Sequence, residues 1–189
     1  MTSFSIAIDG ASKGNPGAAG IGVVLCDDAG NLILEISEYI GETTNNVAEY
    51  TALIRGLEEA LKLGAESIRI STDSELLARQ IAGIYKVKSP HLVEIYQKAK
   101  SLLSQFKDAK IRHVLRENNA HADKLASEAA QKGAKASKKP AKTTKPKPGE
   151  EMDIPRQTPQ PQHKASKPTA RPVSPPKQQD SQSQLNLDM

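Results

Sequence analysis

Two spacings of apolar positions run through the first 133 residues, and beyond them only Gln184 to Met189 alternates. Phe4-Ser5-Ile6-Ala7-Ile8 alternates apolar with small or polar side chains, and this period of two predicts a strand over 4–9. Gly10 to Gly17, GASKGNPG, reads as a loop. Ala18 to Cys26 reads as a second strand and Asn31 to Ile40 as a third, with Asp27 to Asn31 as the turn between them. Three strands joined by short turns predict an antiparallel meander. The period then lengthens. Val47, Tyr50, Leu53, Ile54, Leu57 and Leu61 recur at helical spacing, which predicts a helix over Asn46 to Leu63. Gly64 supplies its stop, and Asn46 with Glu49 resembles a capping box. Ser67 to Ser71 is a short strand after that helix, so a right-handed crossover and a parallel pairing follow.

Thr72-Asp73-Ser74-Glu75 opens a short helix, SELLARQIA. A connector from Gly83 to Pro90 carries Lys86 and Lys88, and His91 to Phe106 forms a third helix. Lys110 to Leu115 is the fifth strand and Asn119 to Lys132 the last helix. The order β-β-β-α-β-α-α-β-α predicts one α/β layer domain over residues 1–133: a mixed five-stranded sheet with helices packed on it. Residues 134–189 are rich in Lys, Pro, Gln and Ser, with almost no large apolar residues before Leu185. Such a segment cannot offset its ordering entropy, and a disordered tail is the expectation.

Charge follows the same division. Residues 1–133 hold 15 Lys and Arg against 17 Asp and Glu, a net of −2, whereas residues 134–189 carry a net of +6. The basic character of the chain is therefore a property of its tail. Cys26 is the single cysteine, which excludes an intrachain disulfide and, within an apolar run, predicts a small buried hydrophobe. The N-terminus lacks a basic segment followed by a long apolar stretch, and no run approaches the ~20 apolar residues of a membrane span. The expectation is a soluble, cytoplasmic protein without membrane association.

The candidate chemistry lies in acids that begin or end elements: Asp9 at the end of strand 1, Glu49 in the first helix, Asp73 after strand 4 and Asp123 in the last helix. Each alone is ordinary, since Asp9-Gly10 suits a turn and acids in a first helical turn are favoured by the macrodipole. Together they differ. Strands 1 and 4 are both candidates for the sheet centre, and their C-terminal ends would lie side by side where α/β sheets hold ligands. Carboxylates crowded there raise one another's pKa values, and divalent cations relieve the repulsion. Oxygen ligands without a Cys or His cluster indicate Mg²⁺ or Mn²⁺. Two such ions can activate a water and stabilise a leaving oxygen in phosphodiester hydrolysis.

Four blocks then carry a resemblance. Asp9-Gly10-Ala11-Ser12-Lys13-Gly14-Asn15-Pro16-Gly17, Thr43-Thr44-Asn45-Asn46-Val47-Ala48-Glu49, Ser71-Thr72-Asp73-Ser74 and Asn119-Ala120-His121-Ala122-Asp123 resemble the conserved blocks of type 1 ribonuclease H, in the same order. The resemblance covers residues 1–133 and implies a ribonuclease H-like fold. It also implies an endonuclease that cuts the RNA strand of RNA–DNA hybrids with two Mg²⁺ or Mn²⁺ ions, leaving 5′-phosphate and 3′-hydroxyl ends. Asp9, Glu49, Asp73 and Asp123 would be the catalytic, metal-binding carboxylates. Asn15, Asn45 and Asn46 would grip nucleic acid, Gly10 and Ala11 would sense RNA 2′-hydroxyls with Glu49, and Thr44 would hold a DNA-strand phosphate. A non-cleaving, nucleic-acid-binding module of the same fold is the alternative, against which all four carboxylates speak.

The sequence departs from longer members of that family. The connector IYKVKSPH is short and the chain has no Trp, so the expectation is the branch without a basic protrusion, gripping the hybrid more weakly or from elsewhere. Leu115-Arg116-Glu117-Asn118-Asn119 leads straight into the last helix, with no mobile-loop His. His121 stands close to Asp123 in sequence, as a candidate catalytic assist or a helix-surface residue. The tail lysines 135, 138, 139, 142, 145 and 147 can neutralise phosphates. Gln184-Leu185-Asn186-Leu187-Asp188-Met189 resembles the peptide by which bacterial replication and repair proteins dock on the sliding clamp. The expected partners are the hybrid and, through that peptide, a clamp; the expected state is a monomer.

Overall fold

The computed structural model describes residues 2–137. The disordered tail and the clamp-like peptide expected from the sequence lie outside the described residues. Five strands and four α-helices follow in the predicted order: β1 (Ser3–Gly14), β2 (Gly17–Asp27), β3 (Leu32–Thr43), α1 (Asn45–Lys62), β4 (Ser67–Thr72), α2 (Glu75–Ile81), α3 (Pro90–Leu103), β5 (Asp108–His113) and α4 (Ala120–Ser137). A short 3₁₀ turn, Arg116–Asn119, leads into α4. The helix α4 runs on past Gly133 to Ser137.

One mixed sheet is formed, in the order β3-β2-β1-β4-β5. The strand β1 is central, antiparallel to β2 and parallel to β4, and β4 is parallel to β5. Alternation along each strand separates two faces. Ile6 and Ile8 of β1 with Ile21, Val23 and Leu25 of β2 are fully buried together with Leu53 and Leu57 of α1. The helix α3 packs on α1, where Tyr50 meets Tyr96 edge to face at 6.5 Å between ring centroids. On the opposite face α4 lies over β1, β2 and β3.

The structure corrects three expectations. The stretch read as a loop, Gly10 to Gly17, is instead strand almost throughout: Gly10 pairs with Ile21 and Lys13 with Ala18, and a cis Asn15–Pro16 peptide lies in the tip. Its glycines answer a non-local demand. A Cβ on Gly10 would overlap the backbone of Ala48 and Glu49 in α1, and one on Gly22 would overlap the Ala122 carbonyl in α4. Glycine here lets two helices approach the sheet on opposite faces. Secondly, the N-cap of α1 is Thr44, whose hydroxyl accepts the Val47 N–H at 3.4 Å. Asn46 is inside the helix, and Glu49 turns to the sheet edge rather than to a capping box. Thirdly, Cys26 is only partly buried, opposite Ser5 near the end of β2. Gly64, with φ +76°, closes α1 as predicted.

Candidate active site

The parallel pairing of β1 with β4 ends at Ala7 and Ser71, and Asp9 and Asp73 each follow that pair by two residues. Asp9 lies within β1 opposite Gly22, and Asp73 follows the last residue of β4. The helix α1 brings Glu49 over this edge because Gly10 lets its backbone come close. The 3₁₀ turn delivers Asp123 in the first turn of α4. All four line one cleft of about 380 Å³ with Gly10, Ala11 and Asn45. The sequence had nominated each of these seven.

Each carboxylate is held by neutral or cationic donors. Glu49 accepts from Asn45 Nδ2 at 2.8 Å and from Ser74 Oγ at 2.5 Å. Asp73 accepts from Asn119 Nδ2 at 2.9 Å, and the same amide donates to the Ile8 carbonyl at 2.9 Å. Arg116 pairs with Asp123. Asp9 is 8% exposed. Burial, followed by the negative charges of Asp73 and Asp123, pushes its pKa up to about 7 against a hydrogen bond from the Gly10 backbone. Burial also raises Glu49, against the Ser74 and Asn45 hydrogen bonds.

With these donors engaged, no three His, Cys, Asp or Glu side chains among the described residues are drawn together as a closed ion cage. The donor set nonetheless fits a hard divalent cation. It is all oxygen, and its most buried member is disfavoured as an anion by its neighbours, a cost that a cation in the cleft removes. The buried Asn119 Oδ1 has no hydrogen-bond partner, so the side chain is fixed entirely through its amide donors.

The remaining nominated residues divide. Asn15, Thr44 and Asn46 line a second, adjoining cleft of about 600 Å³, whose other wall includes Ser89 and His91. Asn15 Oδ1 accepts the Asn45 N–H at 3.2 Å and so ties the β1–β2 hairpin to the start of α1. His121 stands apart from the carboxylates: its Nε2 meets Glu35 of β3 at 2.6 Å, across the face that α4 covers. Sequence reasoning missed Arg116, Asn119 and Ser74 as members of the site, together with Lys13 and Ser127, which also line the carboxylate cleft. For Asn119 and Ser74 the available signal was position, since both stand inside the motif blocks as short polar donors beside a nominated acid.

A five-stranded mixed sheet with four acids converging on the ends of its two central strands defines a ribonuclease H-type domain. Residues 7–129 match the family described as "Reverse transcriptase-like". The bifunctional protein Rv2228c of Mycobacterium tuberculosis is 45% identical over 141 residues, covering 72% of this chain and 39% of that protein. This chain thus spans about two fifths of the length of that relative. Among solved structures, RNase H1 of the halophilic archaeon Halobacterium salinarum is 41% identical with a TM-score of 0.67, covering 69% of this chain and 98% of its own. LC11-RNase H1 in complex with an RNA/DNA hybrid is 46% identical with a TM-score of 0.64, covering 68% and 97%. The chain belongs to the type 1 ribonuclease H family.

Proposed function

We propose that this protein hydrolyses the RNA strand of RNA–DNA hybrids with two divalent ions, Mg²⁺ or Mn²⁺, leaving 5′-phosphate and 3′-hydroxyl ends. The observation that carries the reading is the gathering of Asp9, Glu49, Asp73 and Asp123 in one cleft, with Asp9 pushed up to about 7. The relative LC11-RNase H1, known in complex with a hybrid, supports the choice of substrate. Asp9 and Asp73 would be the central ligands, with Glu49 and Asp123 flanking them. When bound, such ions supply an activated water and neutralise the leaving oxygen.

The chain's own groups do the rest. Asn119 fixes one oxygen of Asp73, and Ser74 and Asn45 fix both oxygens of Glu49, so the acids are oriented before substrate arrives. The Gly10 and Ala11 backbone at the cleft wall suits contact with RNA 2′-hydroxyls, the groups that separate RNA from DNA. Thr44, whose oxygen accepts from Val47, keeps its hydroxyl proton for a phosphate on the uncut strand. Arg116, beside Asp123, adds a cation at the cleft mouth.

The test is cleavage of a hybrid with end-labelled RNA after removal of metal by chelation, then with Mg²⁺ or Mn²⁺ restored. We expect no products with chelator, and 5′-phosphorylated fragments on restoration. Cleavage that persists in chelator, or products ending in 3′-phosphate, would overturn the reading.

A further inference from the structure

The helix α4 rests on β1, β2 and β3, and among the described residues no helix packs extensively on the same face of β4 and β5. Strand register fixes what stands there. Ile68 and Ile70 of β4 point into the core, so Arg69 and Ser71 point the other way. Ser5 of β1 is level with Arg69, which is level with Lys110 of β5, and Ser71 is level with Arg112. These five side chains border a shallow cleft of about 440 Å³.

The groups there are small hydroxyls and long cations. Arg112 donates from Nε to Ser71 Oγ at 3.0 Å, and no carboxylate among the described residues pairs with it. Two acids attend the face: Asp28 takes Arg69 at 2.6 Å, and Asp108 takes Lys110 at 3.2 Å. Both pairs are solvated, with the Arg69 and Lys110 side chains 54% and 75% exposed. Exposed pairs of this kind are weak, and a phosphate can exchange for the carboxylate. The strand β4 that carries this face leads directly to Asp73 of the carboxylate cleft. The Ser71–Arg112 row lies two residues before Asp73, ~6.6 Å back along the strand, and the Arg69–Lys110 row lies as far again.

We propose that this open β4–β5 face is a second nucleic-acid contact, on which Arg112 and Lys110, with Arg69 beside them, hold the sugar-phosphate backbone of the hybrid beyond the segment in the cleft. The cleft is also lined by Ile70 and Ile111, which belong to the core side of the strands, while the side chains presented on this face are hydroxyls and cations that suit phosphate and sugar. The face would give the domain a grip on substrate where Arg112 pairs with no carboxylate among the described residues and Arg69 and Lys110 are held only by exposed ones. The proposal rests on the reading of the carboxylate cleft as a hybrid site.

The experiment uses the full chain and fluorescence anisotropy in chelator, so binding is read without cleavage. The Lys110→Gln/Arg112→Gln double variant is compared with the unaltered protein and with Lys62→Gln, an exposed cation at the far end of α1. On a labelled hybrid of about 24 base pairs, we expect the double variant to bind about three- to tenfold more weakly at 100 mM salt. The slope of log K against log salt should fall by about 2, roughly 0.9 for each phosphate no longer neutralised. Lys62→Gln should match the unaltered protein. Should the double variant fail to fold by circular dichroism, Lys110→Gln alone is expected to lower the slope by about 1. Unchanged affinity and slope in the double variant, or an equal loss in Lys62→Gln, would overturn the proposal. If the protein binds hybrids as described but cleaves none, the proposed activity fails and this surface stands.

Discussion

Asp9 is the residue on which burial and charge act most strongly. An aspartate of ordinary pKa 3.8 in the unfolded chain and about 7 in the fold binds a proton in the native state that the unfolded state has released. Between pH 4 and 7 the folded state therefore holds more protons, and stability falls as pH rises. The size is on the order of 4 kcal/mol, at 1.36 kcal/mol per pKa unit. We expect Asp9→Asn to flatten this decline in metal-free protein and to be more stable than the unaltered protein at pH 8; thermal melts across pH 4–8 in chelator read it. Parallel pH profiles for the two proteins would contradict the burial argument. Asn119 acts at the same scale. Its removal in Asn119→Ala frees Asp73 and leaves the Ile8 carbonyl without its donor, at a cost of about 1–3 kcal/mol in stability. Steady-state kinetics should show kcat lowered by tenfold or more with KM within about twofold, because a misplaced ligand costs rate rather than binding. Equal effects on both constants would assign Asn119 to substrate binding instead.

At the scale of elements, what could be read from the sequence was what is local. The helical spacing from Val47 to Leu61 and the closing Gly64 depend on near neighbours, and both are found. The acids of the motif blocks were likewise legible as a set, although Asp9 lies within β1, which runs on to Gly14, and Glu49 lies beyond the first turn of α1. What misled was chemistry whose cause lies elsewhere in the chain. Gly10 looked like a loop residue because its reason is the backbone of α1, and Gly22 gave no warning that α4 would lie across it. Asn46 looked like a cap because its spacing to Glu49 suits one, while Thr44 holds the cap and Glu49 is drawn to Ser74. His121 looked close to Asp123 in the sequence, yet the helix turns it to Glu35. The close crossing of α4 on β2 gives a prediction of its own. Gly22→Ala should lower the denaturant midpoint by an amount equivalent to about 1–3 kcal/mol, with an unchanged slope. An unchanged midpoint would mean that α4 moves away from the sheet at little cost.

The whole chain joins a slightly acidic domain to a strongly basic segment. Residues 134–189 carry the net charge of +6, and a domain of net −2 that binds a hybrid, as proposed, would gain from cations attached to it. The helix α4 continues to Ser137, and Gly133 lies against Tyr39 of β3. A truncation that probes the basic segment alone should therefore end after Ser137 and not at Gly133. We expect the 1–137 protein to show a higher KM for hybrid at low salt with little loss of kcat, and the difference to shrink as salt rises. An unchanged KM at low salt would show that the segment does not serve the substrate.

The most direct measurement is a time course on one labelled RNA strand, paired either with DNA or with RNA, using the unaltered protein and Asp73→Asn in Mg²⁺. The account predicts cleavage of the hybrid alone by the unaltered protein and a loss of at least a thousandfold in the variant, roughly 4 kcal/mol of transition-state stabilisation. Full activity in Asp73→Asn, or no cleavage of the hybrid by the unaltered protein, would contradict it.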